Sequence, residues 1–167
     1  MFSKINISKI VVDHIRTFQN VRTGRYSFSD FFLFFGFPIA AGIYFGVFER
    51  LCVGESYINF LIASISIIAG FLFNLLAIIF GIMDKVRTNV ENDPVKQKLA
   101  AEIHSNIAFN ILLAIFSVVS LLFANSENFY VALVANTVSI SLCILFFLTI
   151  LMVLKRIYII MSKEGIA

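Results

Sequence analysis

Charged residues are scarce in this sequence, and Trp is absent. Only 14% of the 167 residues are Asp, Glu, Lys or Arg, whereas 60% are hydrophobic and 20 are Phe. A soluble domain of this size needs more polar residues to cover its surface. The composition therefore excludes an ordinary soluble domain and predicts an all-α integral membrane protein.

The residue types that build catalytic and metal sites are also scarce. The two histidines, His14 and His104, belong to no close cluster of Asp, Glu or Cys with metal-ligand spacing. No phosphate-binding Gly-rich loop or nucleophile elbow is present, so we expect no enzyme, no cofactor, no metal and no direct binding of nucleic acid. Glu102 beside His104 leaves two interpretations open, an acid–base pair at the membrane surface or a solvated polar turn.

The two cysteines do not indicate a disulfide. Cys52 lies in a predicted outer link and Cys143 in a predicted span, so their depths differ too much for a bond within one chain. Cys52 leaves open a cross-link between two copies.

The spans also lack acidic and basic residues at mid-depth. Coupled transporters usually need such residues, so the sequence disfavours a coupled transporter.

Four long apolar runs remain, and each is long enough to cross a hydrocarbon core about 30 Å thick. They predict spans at about 31–48, 57–83, 103–123 and 129–154. The predicted organisation is an interfacial amphipathic segment (1–28), a four-helix transmembrane domain (29–160) and a short tail (161–167). Short links between the later spans predict antiparallel neighbours.

Basic residues are distributed unevenly between the two sides of this layout. All Lys and Arg residues except Arg50 fall in the N-terminal segment, in the link between the second and third spans, or at the C-terminal end. The positive-inside rule places that side in the cytoplasm. We therefore expect a multi-pass protein of the bacterial inner membrane with both termini cytoplasmic. The first span is expected to act as an uncleaved anchor, because no signal-peptide core precedes it.

The N-terminal segment has its own periodicity. Ile7, Val11, Ile15 and Phe18 recur at helical spacing, which predicts an amphipathic helix. Such a helix lies on the inner membrane surface or packs on the cytoplasmic end of the protein itself. The sequence leaves both placements open.

Small and amide residues recur along one face of the second span, three or four positions apart. They are Ala63, Ser66, Gly70, Asn74, Ala77 and Gly81. Faces of this kind let membrane helices approach closely and form hydrogen bonds with each other. We expect this face to pack against another helix, in the same chain or in a second copy, or to line a polar pore.

The other spans carry similar positions. The third has Asn106, Asn110, Ser117 and Ser120, the fourth has Asn136, Ser139 and Cys143, and the first has Gly42 and Gly46 beyond a bend predicted at Pro38. Asn74 and Asn110 have similar predicted depths in antiparallel helices. We therefore expect these two amides to form a hydrogen bond.

The link "DKVRTNVENDPVKQK" alternates in charge, and its basic residues are Lys85, Arg87, Lys96 and Lys98. Pro94 is suited to the first turn of the next helix. The link is either a docking surface for a cytoplasmic partner or a solvated tether.

The stretches "GFLFNLLAIIFGIMDKV", "LAAEIHSNIAFNILLAIFSVV" and "FFLTILMVLKRIYII" resemble small four-span membrane proteins of bacterial anti-phage systems. Over about 29–160, the chain is similar to the membrane subunit of the Kiwa system, KwaA, and more loosely to the phage-exclusion protein RexB. The first resemblance implies an oligomeric inner-membrane sensor, a tetramer in that case, that recruits a cytoplasmic effector. The second implies an ion-conducting pore that depolarises the membrane.

Overall fold

The computed structural model of the protein describes residues 7–18, 28–48, 54–88 and 94–163, with the backbone alone for 82–88, 94–97 and 160–163. The helices are α1 (Ile7–Arg16), α2 (Phe28–Phe48), α3 (Glu55–Thr88), α4 (Pro94–Leu122) and α5 (Phe129–Lys163). By length and composition, α2 to α5 can each cross a membrane. The prediction of four helices long and apolar enough to cross a membrane is therefore confirmed. Helix α4 begins nine residues before the predicted third span, and α5 ends nine residues after the predicted fourth span.

Helix α2 is irregular around Pro38. Its backbone widens into π-helical turns at Phe32–Gly36 and Tyr44–Phe48, on either side of an α-helical stretch. Proline has no N–H, and its ring clashes with the carbonyl four residues earlier in a regular helix. The first π turn, in which the Phe37 N–H donates to the Phe32 carbonyl, ends at Gly36, two residues before this proline.

The four long helices form a row rather than a closed bundle. Within the described residues, Cα atoms approach within 8 Å only between α3 and α4, between α4 and α5, and between α5 and α2 among these helices. Helix α4 is therefore interior, and α3 lies at one edge. Half of the most apolar window of α4 is buried, compared with 17% for α3.

The core runs along the seams of this row. Helix α3 buries a single line of residues spaced seven apart, Ile58, Ile65, Leu72 and Ile79. The fully buried Ile103, Ile107 and Phe146 fill the interior on the α4 and α5 side. A spacing of seven residues keeps one narrow stripe of a helix against its neighbour, so most of the surface of α3 faces outward.

Helices α2 and α5 meet at two glycines. A Cβ atom on Gly42 would collide with the Ser141 hydroxyl and lie 2.7 Å from the Thr137 carbonyl oxygen, and one on Gly46 would lie 2.8 Å from the Thr137 Cα. Only glycine permits this approach. The predicted small pair of the first span thus packs directly on α5.

Helix α1 packs on α4. Ile10 and Val11 pack against the core, and Phe18, just beyond the helix, lies with its ring centroid 5.1 Å from that of Phe34 in α2. Helix α1 therefore has a packing partner within the protein, α4. We call this end of the row, where α4 begins and α5 ends, the α1 end.

Candidate functional site

A buried polar cluster joins α1 to α4 at the α1 end. His14 and Asn106 are both fully buried, and the Nδ1 atom of His14 lies 2.8 Å from the Oδ1 atom of Asn106. Because that oxygen carries no hydrogen, Nδ1 is the donor. The Thr17 hydroxyl lies 3.0 Å from the same oxygen and 2.7 Å from the His14 carbonyl oxygen. Asn106 is therefore the acceptor that holds the end of α1.

Aromatic rings enclose the His14 imidazole. It stacks on Phe109 of α4 at a centroid distance of 3.8 Å, and Phe18 contacts it edge-on at 5.1 Å. Burial lowers the pKa of His14 to about 4 from its ordinary value of 6.5; the hydrogen bond to Asn106 opposes this shift, and the nearby charge of Arg156 adds to it. The imidazole is therefore neutral at neutral pH.

Arg156 connects α5 to both of these helices. Its NH1 atom lies 3.0 Å from the Oε2 atom of Glu102 in α4, and its NH2 group donates to the Thr17 carbonyl at 2.7 Å. Both side chains of the ion pair are nearly buried, at 13% and 12% exposure. Three helices are thus joined by hydrogen bonds and one ion pair.

Three buried nitrogen atoms in this cluster make no hydrogen bond to a described residue: His14 Nε2, Asn106 Nδ2 and Arg156 NH1. The Arg156 atom is compensated by its ion pair with Glu102, whereas the other two have no such partner. A buried polar atom without a partner costs roughly 1–3 kcal/mol. These unpaired atoms therefore reduce the net stabilisation that the cluster provides.

Two of the residues predicted on α4, Asn110 and Ser120, bond α5, whereas Asn106 bonds the α1 segment. In the amide orientation that satisfies both of its groups, Asn110 donates to the Phe146 carbonyl and accepts from the Ile150 N–H, each at 3.2 Å. Asn136 of α5 donates to the Ala124 carbonyl at 3.0 Å and to the Ala132 carbonyl at 2.9 Å. These two amides hold the α4–α5 pair and the turn that joins it.

The residues predicted on α3 lie elsewhere. Ser66, Gly70, Asn74 and Gly81 are exposed, together with Ala63 and Ala77, and nothing lies within 4 Å of a Cβ atom placed on Gly70 or Gly81. We call these six residues the small face of α3. Asn74 follows the buried Leu72 by two positions, or about 200° of helical rotation, so it lies on the opposite side of the helix.

The structure therefore does not bring Asn74 and Asn110 together, and the expected hydrogen bond between them is wrong. Asn110 faces α5, and Asn74 faces away from every helix among the described residues. The error concerns direction around the helix axis, which helical spacing within one segment does not specify.

The predicted docking residues are described only in part. Lys98 is exposed, whereas the side chains of Lys85, Arg87 and Lys96 lie outside the described residues, as does Cys52. Glu102 pairs with Arg156 and is only 12% exposed, so it fits neither of the two interpretations left open, an acid–base pair with His104 or a solvated polar turn.

Sequence reasoning missed the cluster itself. His14 lies four residues before Phe18 and three after Val11, which places it on the apolar face of the predicted amphipathic helix. An imidazole on such a face needs a polar partner when it is buried. That spacing was the available signal for His14, but its partner lies 92 positions away.

The described residues include four helices that can cross a membrane, and a buried polar cluster joins two of them, α4 and α5, to α1. These features define a multi-pass membrane protein. No family model, curated protein or solved structure matches this chain.

Proposed function

We propose that this protein is a homo-oligomeric inner-membrane subunit of a bacterial anti-phage system, acting as a sensor and anchor that recruits a cytoplasmic effector. The proposal rests on the small face of α3 for assembly and on the predicted cytoplasmic location of the α1 end for recruitment. The resemblance of the sequence to Kiwa membrane subunits supplies the biological setting.

The observation that carries the assembly step is the position of Asn74. Its amide is exposed and lies about 9 Å along the axis from the centre of the membrane-crossing part of α3, Glu55–Gly81, at about 1.5 Å per residue. That depth is within the hydrocarbon core. An amide without a partner there costs roughly 2–7 kcal/mol, so a polar partner from outside the chain is favoured.

A second copy of the same chain fits this requirement. Two α3 helices that meet through their small faces can approach closely, because Gly70 and Gly81 present no side chains, and each Asn74 can bond the other. Two identical patches in contact also satisfy the two-fold symmetry of most homo-oligomers.

Recruitment is assigned to the α1 end. The positive-inside rule places this end in the cytoplasm, and there α1 and the exposed Lys98 are available to a soluble partner. The cluster of His14, Asn106 and Arg156 would then fix the orientation of α1 relative to the membrane.

A pore of the RexB or holin type is the second candidate, and the same small face favours it. Ser66 and Asn74 are polar groups in line on an exposed helix surface, and several copies of α3 around an axis would place them along a path. Tight pairing of α3 helices and pore lining therefore predict different effects of the same substitution.

Cysteine cross-linking in native membranes tests the assembly step. With Cys52 and Cys143 replaced by Ser, Gly70→Cys and Asn74→Cys should each form a disulfide-linked dimer on oxidation. Phe71→Cys is the matched control, since Phe71 is also exposed, at 68%, at the same depth but off the small face. Equal cross-linking at positions 70, 71 and 74 would contradict a specific interface.

Measurements of ion flux distinguish a membrane anchor from an ion-conducting pore. Purified protein in liposomes should conduct no ions, and Asn74→Leu should leave that baseline unchanged. Ion flux through the wild-type protein that decreases in Asn74→Leu would contradict the anchor function and support the pore.

Capture of a co-encoded cytoplasmic protein tests recruitment. Capture that is lost when Lys96 and Lys98 are changed to Glu would support recruitment through the link, and equal capture by both forms would contradict a docking role for it.

A further inference from the structure

A groove at the α1 end opens between α2 and α5. It has a volume of about 470 Å³, within the range of about 300–1,000 Å³ that is usual for ligand sites. Leu33 and Phe34 of α2 form one wall, and Leu148, Leu151 and Met152 of α5 form the other. Thr17 and Phe18 close its upper side, so the docked end of α1 is part of the groove.

The polarity of the groove changes with depth. Leu148, Leu151 and Met152 line its deeper part, Lys155 and Arg156 follow within one turn of α5, and the apolar Leu99 and Ile159 line the groove beyond these charges. At about 1.5 Å per residue, Lys155 lies about 6 Å beyond Leu151 along the helix axis. A phospholipid has the same order, with acyl chains in the hydrocarbon and a phosphate at its edge.

The charges along the groove differ in their availability. Arg156 is engaged by Glu102 and by the Thr17 carbonyl, and this ion pair neutralises Glu102. Asp30 also lines the groove and has an interaction of its own. Lys155 is exposed and has no ion pair with any described residue. Among the basic residues that line the groove, Lys155 is therefore the one without an ion pair to a described residue.

The walls of the groove also restrict the kind of ligand. Leu33 is 49% exposed and Leu151 is 61% exposed, so the groove opens sideways onto the surface that faces lipid. A soluble anion would leave these apolar walls uncovered, whereas an acyl chain covers them.

We propose that this groove binds one anionic glycerophospholipid of the adjoining leaflet, with its phosphate on the Nζ atom of Lys155 and an acyl chain between α2 and α5. This inference is independent of the proposed function, because it uses neither the small face of α3 nor a cytoplasmic partner.

Quenching by brominated lipids tests the proposal. Because the chain has no Trp, Leu151→Trp introduces a single reporter at the lip of the groove, where the exposed position can hold an indole. In vesicles of phosphatidylcholine, brominated phosphatidylglycerol should quench this reporter with an association constant about fivefold that of brominated phosphatidylcholine, the effect expected for one lysine at a membrane surface.

Two matched variants test whether Lys155 causes the preference for the anionic lipid. Adding Lys155→Gln to the reporter should reduce the ratio to about one, while adding Lys98→Gln should leave it unchanged, because Lys98 is equally basic and exposed but does not line the groove. A second reporter, Phe71→Trp on the exposed surface of α3, should show no preference. Both lysines are exposed, so these variants should fold, and an unchanged thermal midpoint confirms it.

Each other outcome overturns the proposal. Equal quenching by the two lipids at Leu151→Trp, a preference that survives Lys155→Gln, or the same preference at Phe71→Trp would show that no lipid is bound specifically here. Loss of the preference in excess inorganic phosphate would assign the Lys155 site to a soluble anion instead.

Discussion

Helices α3 and α4 carry the same kind of sequence pattern but differ in their surroundings. Both have small and amide residues at spacings of three and four. On α4, Asn106, Asn110 and Ser117 are completely buried, whereas Ser66 and Asn74 of α3 are exposed. The difference follows from position in the row, because α4 has a neighbour on each side and α3 has a neighbour on one side.

The amides of the two helices contribute to stability in different ways. The amides of α4 act within the chain, since Asn106 holds α1 and Asn110 bonds the backbone of α5. Asn74 has no such partner among the described residues, so any contribution it makes comes from outside the chain. Substitutions in the two helices should therefore separate folding from assembly.

The largest expected difference is between Asn106→Leu and Asn74→Leu. Asn106→Leu removes the acceptor of the His14 Nδ1–H, while the Thr17 hydroxyl keeps the His14 carbonyl oxygen as its acceptor. The substitution should lower the free energy of unfolding by about 1–3 kcal/mol, the usual cost of one buried group left without a partner. Asn74→Leu should change it by less than about 0.5 kcal/mol in monomeric protein, as for an ordinary surface substitution. Equilibrium unfolding in detergent measures both, and equal losses would place the two amides in the same kind of environment.

The second prediction uses pH to test the α1–α4 contact. His14 binds a proton near pH 6.5 when exposed but only near pH 4 when docked, so the stability that docking confers is complete above pH 6.5 and is lost as the pH falls towards 4. The loss attributable to His14 should be at most about 3 kcal/mol, at 1.36 kcal/mol per pKa unit. Arg156 and Glu102 face the same cluster, and their own contributions set the background.

His14→Gln provides the control for that experiment. It should remove the part of the pH dependence between 6.5 and 4 that belongs to the imidazole, and leave the rest of the pH dependence unchanged. An NMR titration of His14 with a midpoint near 6.5 would mean that the imidazole is in water and that α1 is not docked.

The third prediction compares two glycines. Gly42→Ala should destabilise the monomer by about 1–3 kcal/mol, because the added methyl group overpacks a tight contact with Thr137 and Ser141. Gly70→Ala should be neutral or stabilising by up to about 1 kcal/mol, since the new methyl group meets nothing in the chain and Ala favours helix. Thermal unfolding of the dissociated protein measures both changes, and a destabilised Gly70→Ala would show that α3 has a neighbour there.

The smallest expected effect is at a serine pair. Ser139 donates to the Ser120 hydroxyl at 2.9 Å across the α4–α5 seam, so Ser139→Ala should cost about 0.5–1.5 kcal/mol, the usual net value of one hydrogen bond. Ser66→Ala, on the small face of α3, should have no measurable effect on the monomer. The same unfolding assay resolves the two, and a larger loss from Ser66→Ala would reverse the comparison.

The number and approximate limits of the spans could be predicted because hydropathy is a local property of the chain. The close approach of another helix at Gly42 and Gly46 was predictable from their four-residue spacing, which is also a local property. The identity of that helix, α5, was not predictable in this way. The end of α5 was underestimated because Lys155 and Arg156 resemble the polar limit of a span. In the structure the helix continues to Lys163, and Arg156 is paired with Glu102.

The candidate site could not be predicted to the same extent. Helical spacing identified the amide rows but not the neighbour that each row meets, which is why Asn74 was expected to bond Asn110. His14, Asn106 and Arg156 come from three separate segments, and their contact depends on the order of helices in the row. That order is a property of the tertiary packing and leaves no periodic signal in any one segment.

Counting subunits in membranes is the most direct test of the proposal that a second copy of the chain covers the small face of α3. Single-molecule photobleaching of labelled protein in native-membrane vesicles should show two or more steps per particle for the wild type. It should show mostly single steps for Gly70→Leu, whose side chain prevents close approach while leaving the monomer folded. Single steps for the wild type, or unchanged counts for Gly70→Leu, would contradict assembly through this face.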